Sequence, residues 1–223
     1  MKRSSVWFAT AFLGLAAATP AGAQQVGLVQ YLQSFGYETP PAGFRAPIYV
    51  RDPVVAETVL ETVPDGRLDV RFLDQTQLIV GPGSKVTIDR FVYDPDRNTG
   101  EAALGLSRGL MRFVSGRLAN DSYSVSTPTA TLGVRGTDFV TELQESGATA
   151  VSVLEGVVAM TATGGETVNV EAGFTGVSDG STVSVAPTVG VPGLSQASFG
   201  VEAVGGADSS GPDEAPDLDE HEE

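Results

Sequence analysis

Three stretches of this chain carry residue types able to do chemistry. Ser107 lies in "GLSRG" (105–109), the Gly-x-Ser-x-Gly spacing in which a serine on a sharp strand-to-helix turn becomes a nucleophile. That chemistry needs a histidine to take the hydroxyl proton. The sole histidine is His221, inside an acidic C-terminal run, and no helical pattern follows Gly109. Ser107 is therefore read as a chance match. Asp94, Asp96 and Asn98 in "DPDRNTGE" are spaced like the first oxygen ligands of a calcium loop, which has glycine sixth and glutamate twelfth. Here those positions are Thr99 and Gly105. The three are weak calcium candidates, and a hairpin tip built from Asp, Pro and Asn is the first expectation. Zinc would need close Cys or His, and the chain has no cysteine. "GPGSK" (81–85) is too short for a phosphate-binding loop. No catalytic residue and no cofactor is expected.

The third stretch, "TPTATLGVRGT" (127–137), allows two readings. As structure, Pro128 lacks a ladder donor and suits a strand start, while Gly133 and Gly136 let the chain bend. Arg135 between them would then be a partly buried guanidinium, its donors held by carbonyls and a carboxylate such as Asp138 or Glu155. As a site, Arg135 would be an exposed anchor for a partner. The structural reading is the expectation taken here.

These residues sit among strands. "RLDVRFL" alternates strictly, with Leu68, Val70 and Phe72 on one face and Arg67, Asp69 and Arg71 on the other. "KVTI", "DFVTEL" and "TVNV" alternate likewise, the period of a half-buried strand. Turn signals recur between them: "PDG" at 64–66, "GPGS" at 81–84, "ESG" at 145–147, "TGG" at 163–165 and "SDG" at 178–180. The pattern predicts an all-β chain of many short antiparallel strands, forming a sandwich, a roll or a β-solenoid-like single domain. A loose echo among "GSKVTI", "GETVNV" and "GSTVSV" fits either a solenoid or convergent hairpin chemistry.

The ends differ from the body. Lys2 and Arg3 precede an apolar run (Val6 to Ala18), and Ala21 and Ala23 follow in an Ala-x-Ala arrangement. Residues 1–23 thus read as a signal peptide cleaved after Ala23, giving a periplasmic or secreted chain. No segment is long enough to span a bilayer, which takes about 20 apolar residues. Residues 24–187 form the expected domain, and 188–223 an acidic, disordered tail. Removing Lys2 and Arg3 takes the formal charge from −15 to −17, and eight of those negative charges fall in 205–223. A phosphate backbone would be repelled, so no nucleic-acid partner is expected.

"YSVSTPTATLGVRGTDFVTEL", followed by "TAVSVLEGVVAM" and "TVNVEAG", resembles a FecR domain, the periplasmic part of bacterial iron-citrate-type signalling regulators. The upstream "ETVLETVPDGRLDVRFLDQTQLIVGPGSKVTIDRFVYDP" resembles that family's first half, so the resemblance spans about residues 26 to 186. It implies an all-β domain that works by protein–protein contact. The matching motif residues are Thr127, Pro128, Thr129, Gly133, Arg135, Gly136, Thr137, Leu154, Glu155 and Gly156. Family regulators relay a signal from an outer-membrane transporter, through a membrane helix, to a sigma-factor-binding segment; this chain has a leader-like start in place of that segment and helix. It also has Asp74–Gln75 where the family turn is Asp-Gly, and glycine is what accepts a positive φ easily.

The expected function is a non-enzymatic envelope module that binds a protein partner. The alternative is a secreted structural or glycan-binding β-module, which would need its surface aromatics (Tyr31, Tyr49, Tyr93 and Tyr123) clustered.

Overall fold

In Arg67–Phe72, Leu68, Val70 and Phe72 are buried while Arg67, Asp69 and Arg71 are partly exposed. The same alternation builds the whole molecule. A computed structural model describes residues 24–119 and 122–188; residues 1–23 and 189–223, with the expected signal peptide and most of the expected tail, lie outside the described residues.

The strands run β1 (Gln25–Gln33), β2 (Gly36–Thr39), β3 (Ala46–Pro47), β4 (Pro53–Val55), β5 (Val59–Thr62), β6 (Arg67–Phe72), β7 (Gln77–Val80) and β8 (Lys85–Asp94). They continue as β9 (Thr99–Arg108), β10 (Leu110–Val114), β11 (Tyr123–Ser126), β12 (Ala130–Leu143), β13 (Thr149–Ala162), β14 (Thr167–Glu171), β15 (Phe174–Ser178) and β16 (Val183–Pro187). The fold is all-β, one curled sheet with no helix among the described residues.

Two 14-residue strands, β12 and β13, organise that sheet. The first half of β12 pairs with β11 and leads through β9, β8, β5 and β2 to β3. Its second half pairs with β10 and leads through β7, β6 and β1 to β4. β13 carries β14 on residues 157–161 and β15 on 149–152. The sheet thus has two wings that share one long hairpin.

The hairpin is folded over. Thr149 pairs with Leu143 at the far end of β12, whereas Thr129 immediately precedes its start. A straight strand of 14 residues would hold these ends roughly 45 Å apart. Yet the hydroxyls of Thr129 and Thr149 are 2.6 Å apart, so the wings face each other. The core fills the space between them: Phe72 stacks on Phe91 at 5.0 Å, and Phe113 meets Tyr123 edge-on at 5.5 Å.

Three expectations are refined. β9 and β11 pair in parallel, because β10 leaves for the other wing and the chain returns beside β9. The long central hairpin replaces a set of uniformly short strands. The echoing segments open β8, β14 and β16, which are not neighbours in the sheet, so the echo reflects hairpin chemistry and no solenoid forms.

Candidate functional site

Of the residues singled out in 127–137 and 154–156, Arg135, Gly136, Thr137, Glu155 and Gly156 meet where the hairpin bends. Register is lost between Arg135 and Phe139 opposite Glu155, the extra residue of a β-bulge. Gly136 takes φ +58° and Gly156 φ +79°. A side chain on Gly156 would place its Cβ 2.4 Å from the Gly136 carbonyl oxygen, so glycine is required for this close crossing. Gly133 has an ordinary backbone, its nearest non-neighbour atom the Ala159 Cβ at 3.7 Å; only Gly136 of that pair supplies the bend.

Threonine hydroxyls close the corner at its other end. Thr127 Oγ1 lies 2.8 Å from Thr149 Oγ1 and accepts from the Ala130 amide at 2.9 Å. Thr129 presents its carbonyl to the Ser178 hydroxyl at 3.1 Å. Pro128 sits between them, just before β12 begins. Thr137 is buried, and its hydroxyl has no hydrogen-bond partner among the described residues.

Arg135 is exposed, not buried. It occupies an outward position of β12 opposite Val157, between inward Val134 and the bulge. The carboxylate expected to hold it, Asp138, instead takes a two-pronged grip from Arg112, Nε to Oδ1 at 2.8 Å and Nη2 to Oδ2 at 2.5 Å. Asp138 holds the Arg112 guanidinium above its ordinary pKa, and the charge of Glu155 adds to this. Sequence reasoning missed Arg112. Its signal was a lone arginine between inward Met111 and Phe113, but pairing it with Asp138 needs the β10–β12 register.

Next to this charged corner the surface is apolar. Leu154 is 45% exposed and Phe174 38%. Leu154, Glu155 and Gly156 lie in the stretch of β13 between its pairings with β15 and β14. Arg135, Gly136, Leu154 and Glu155 therefore form one outward-facing set at the corner.

The other sequence candidates are structural. Ser107 lies within strand β9, its hydroxyl donating to the Lys85 carbonyl at 3.3 Å. Asp94 Oδ1 accepts from the amides of Asp96 and Arg97 at 3.0 and 3.3 Å, and its Oδ2 accepts from the Arg97 guanidinium at 2.7 Å. Those bonds hold the carboxyl below the usual carboxylate range. Asn98 Oδ1 accepts from the Tyr93 hydroxyl at 2.9 Å. The side-chain oxygens of two of the three calcium candidates, Asp94 and Asn98, thus bond within the hairpin turn.

Tyr123, expected on the surface, is 2% exposed. Its hydroxyl donates to Asp74 Oδ2 at 2.6 Å and accepts from the amides of Gly116 and Leu118, each at 3.0 Å. Burial and the neighbouring Asp74 carboxylate push its pKa up to about 12. At the Asp74–Gln75 turn Gln75 itself takes φ +76°, a conformation that glycine adopts more easily. The buried Asp74 secures that strain through the Thr76 amide at 3.0 Å and hydroxyl at 2.7 Å.

Comparison with known families now bears on this corner. The model of the FecR protein family matches residues 58–159, from the start of β5 into β13. That span is similar to a FecR protein. All ten motif residues lie inside it, and β1–β4 and β14–β16 join the same sheet from outside the matched span. A search of curated proteins finds no match. Two crystal structures of a candidate anti-sigma factor from Parabacteroides distasonis are similar at 16% identity, with TM-scores of 0.46 and 0.45. The alignment covers 58% of this chain and 59% of theirs.

Proposed function

We propose that this chain is a FecR-domain protein, a non-enzymatic signalling module that binds a protein partner in the periplasm or envelope. The carrying observation is that parts of two signature segments meet at a bulge, where Arg135, Leu154 and Glu155 are exposed. An exposed arginine beside an apolar side chain is the make-up of a binding anchor. The signal-peptide pattern of residues 1–23 supports placement outside the cytoplasm. Affinity capture from envelope extract, with wild type and Arg135→Glu/Leu154→Asp in parallel, tests it. A partner recovered by wild type and lost from an equally folded variant supports the reading. Identical recovery by both overturns it.

A second reading, binding of an envelope glycan, rests on a different observation. Thr39, Val59, Thr87, Gly105, Ser126, Thr131, Thr161 and Thr167 stand in one cross-strand row. This uncharged, hydroxyl-rich track covers roughly 34 Å at ordinary strand spacing. An open cleft of about 240 Å³ beside it includes Asp89, Ser107, Thr127 and Pro128. Cosedimentation with cell-wall polysaccharide, abolished by Thr131→Lys, would favour this reading.

A further inference from the structure

Glu61 on β5 is met by three cations. Arg45 Nε lies 3.0 Å from Oε2, while Lys85 Nζ and Arg108 Nη2 lie 3.9 and 3.8 Å from Oε1. Register explains the convergence: Tyr37, Glu61, Lys85 and Arg108 form a row across β2, β5, β8 and β9. The Arg45 guanidinium packs 3.4 Å from the centre of the Tyr37 ring, and Arg108 Nε donates to the Gly83 carbonyl at 2.9 Å. One carboxylate balances one of the three cations, so the row keeps a surplus of two positive charges. The side chains of Arg45, Lys85 and Arg108 remain 51%, 42% and 61% exposed. The next outward row, from Thr39 to Gly105, is uncharged. The result is a bounded positive strip on a chain whose formal net charge is −15.

We propose that this strip docks the chain's own acidic C-terminal segment, residues 205–223. That segment holds eight Asp and Glu residues and no Lys or Arg, so its charge complements the strip. Arginine forks also match carboxylates geometrically. Reach is sufficient: 25 residues lead from Thr188 to Asp213, a contour of up to roughly 85 Å. A domain of this length has a radius of gyration of only about 15 Å. Covalent attachment supplies an effective concentration in the millimolar range, so individually weak charge pairs are enough to populate the docked state. An acidic partner of the strip would have to displace the segment first, which makes the segment a built-in competitor. This inference is independent of the partner proposed for the bulge corner.

The sequence offers a direct test, because Lys85 is the only lysine after Lys2. Zero-length carbodiimide coupling of the full chain, followed by peptide mass spectrometry, reads which carboxylates reach its amine. Coupling to Glu61, 3.9 Å away, is the internal control. At low ionic strength we expect Lys85 also linked to carboxylates of residues 208–223, with that yield falling several-fold in 0.5 M salt, where the Debye length is only about 4 Å. It should fall similarly in Arg45→Gln/Arg108→Gln, while the Glu61 link persists. Coupling to Glu61 alone at low salt overturns the proposal. So does a C-terminal link that the double variant leaves unchanged, or one that isotope mixing shows to join two separate chains.

Discussion

The Tyr123 hydroxyl donates to Asp74 Oδ2 at 2.6 Å, joining residues 49 positions apart across the core. The contact ties the first strand of one half of the family motif to a turn of the opposite wing. Tyr123→Phe leaves the Leu118 amide without its acceptor and Asp74 without one donor, while the Gly116 amide keeps Thr76 Oγ1 at 3.1 Å. Unmet buried polar groups cost about 1–3 kcal/mol. For a domain this size each kcal/mol corresponds to roughly 2–4 °C of melting temperature. Urea unfolding at neutral pH measures the loss, and an unchanged midpoint would contradict the role assigned to this bond.

The same tyrosine gives a pH prediction. Its folded-state pKa, about 12, lies above the ordinary value near 10. Below the unfolded pKa both states keep the proton, and the full contribution to stability is present. As pH rises from about 10 towards 12 the unfolded chain ionises first, so stability is lost across that window. Wild type should lose urea resistance there more steeply than Tyr123→Phe; parallel profiles for the two proteins would count against it.

Arg112→Ala strands the Asp138 carboxylate, and the two side chains are only 17% and 14% exposed. A hydrogen-bonded charge of this kind contributes about 1.5–3 kcal/mol. Arg112→Lys should restore only part of it, because an ammonium cannot form the planar fork. Arg135→Ala, on the surface, should stay within about 1 kcal/mol of wild type. Denaturant midpoints of the three variants rank the arginines, and a larger loss at Arg135 than at Arg112 would reverse the assignment.

Gly156→Ala should be the harsher of two glycine substitutions. Gly156 and Gly165 both have positive φ, but only at Gly156 would the new Cβ collide with backbone, 2.4 Å from the Gly136 oxygen; at Gly165 it meets nothing within 4 Å. Gly165→Ala therefore carries conformational strain alone, about 1–2 kcal/mol. Gly156→Ala adds overpacking of roughly 1–3 kcal/mol. Thermal melts of the pair decide it, and equal losses would show that the crossing relaxes freely.

Sequence by itself determined the strand content, because period-two alternation in segments such as 67–72 and 167–170 follows from one buried face per strand. It also determined the turn at Asp94–Asn98, whose side chains bond their own backbone, and the identity of the family motif. These are local matters, decided within a few residues. Tertiary structure decided which residues meet. Arg112 and Arg135 are equally plausible partners for Asp138 in the sequence. The pairing of Val114 with Asp138 and Arg112 with Val140 sets Arg112 on the diagonal of Asp138, within reach of a long side chain. Tyr123 read as one tyrosine in a polar stretch, and its burial depends on Asp74 arriving from the opposite wing. The strip around Glu61 likewise brings together Tyr37, Lys85 and Arg108 through register, with Arg45 added from the loop before β3. A one-residue slip in any of those ladders would turn the same side chains to the other face, and that choice is made by the packed sheet.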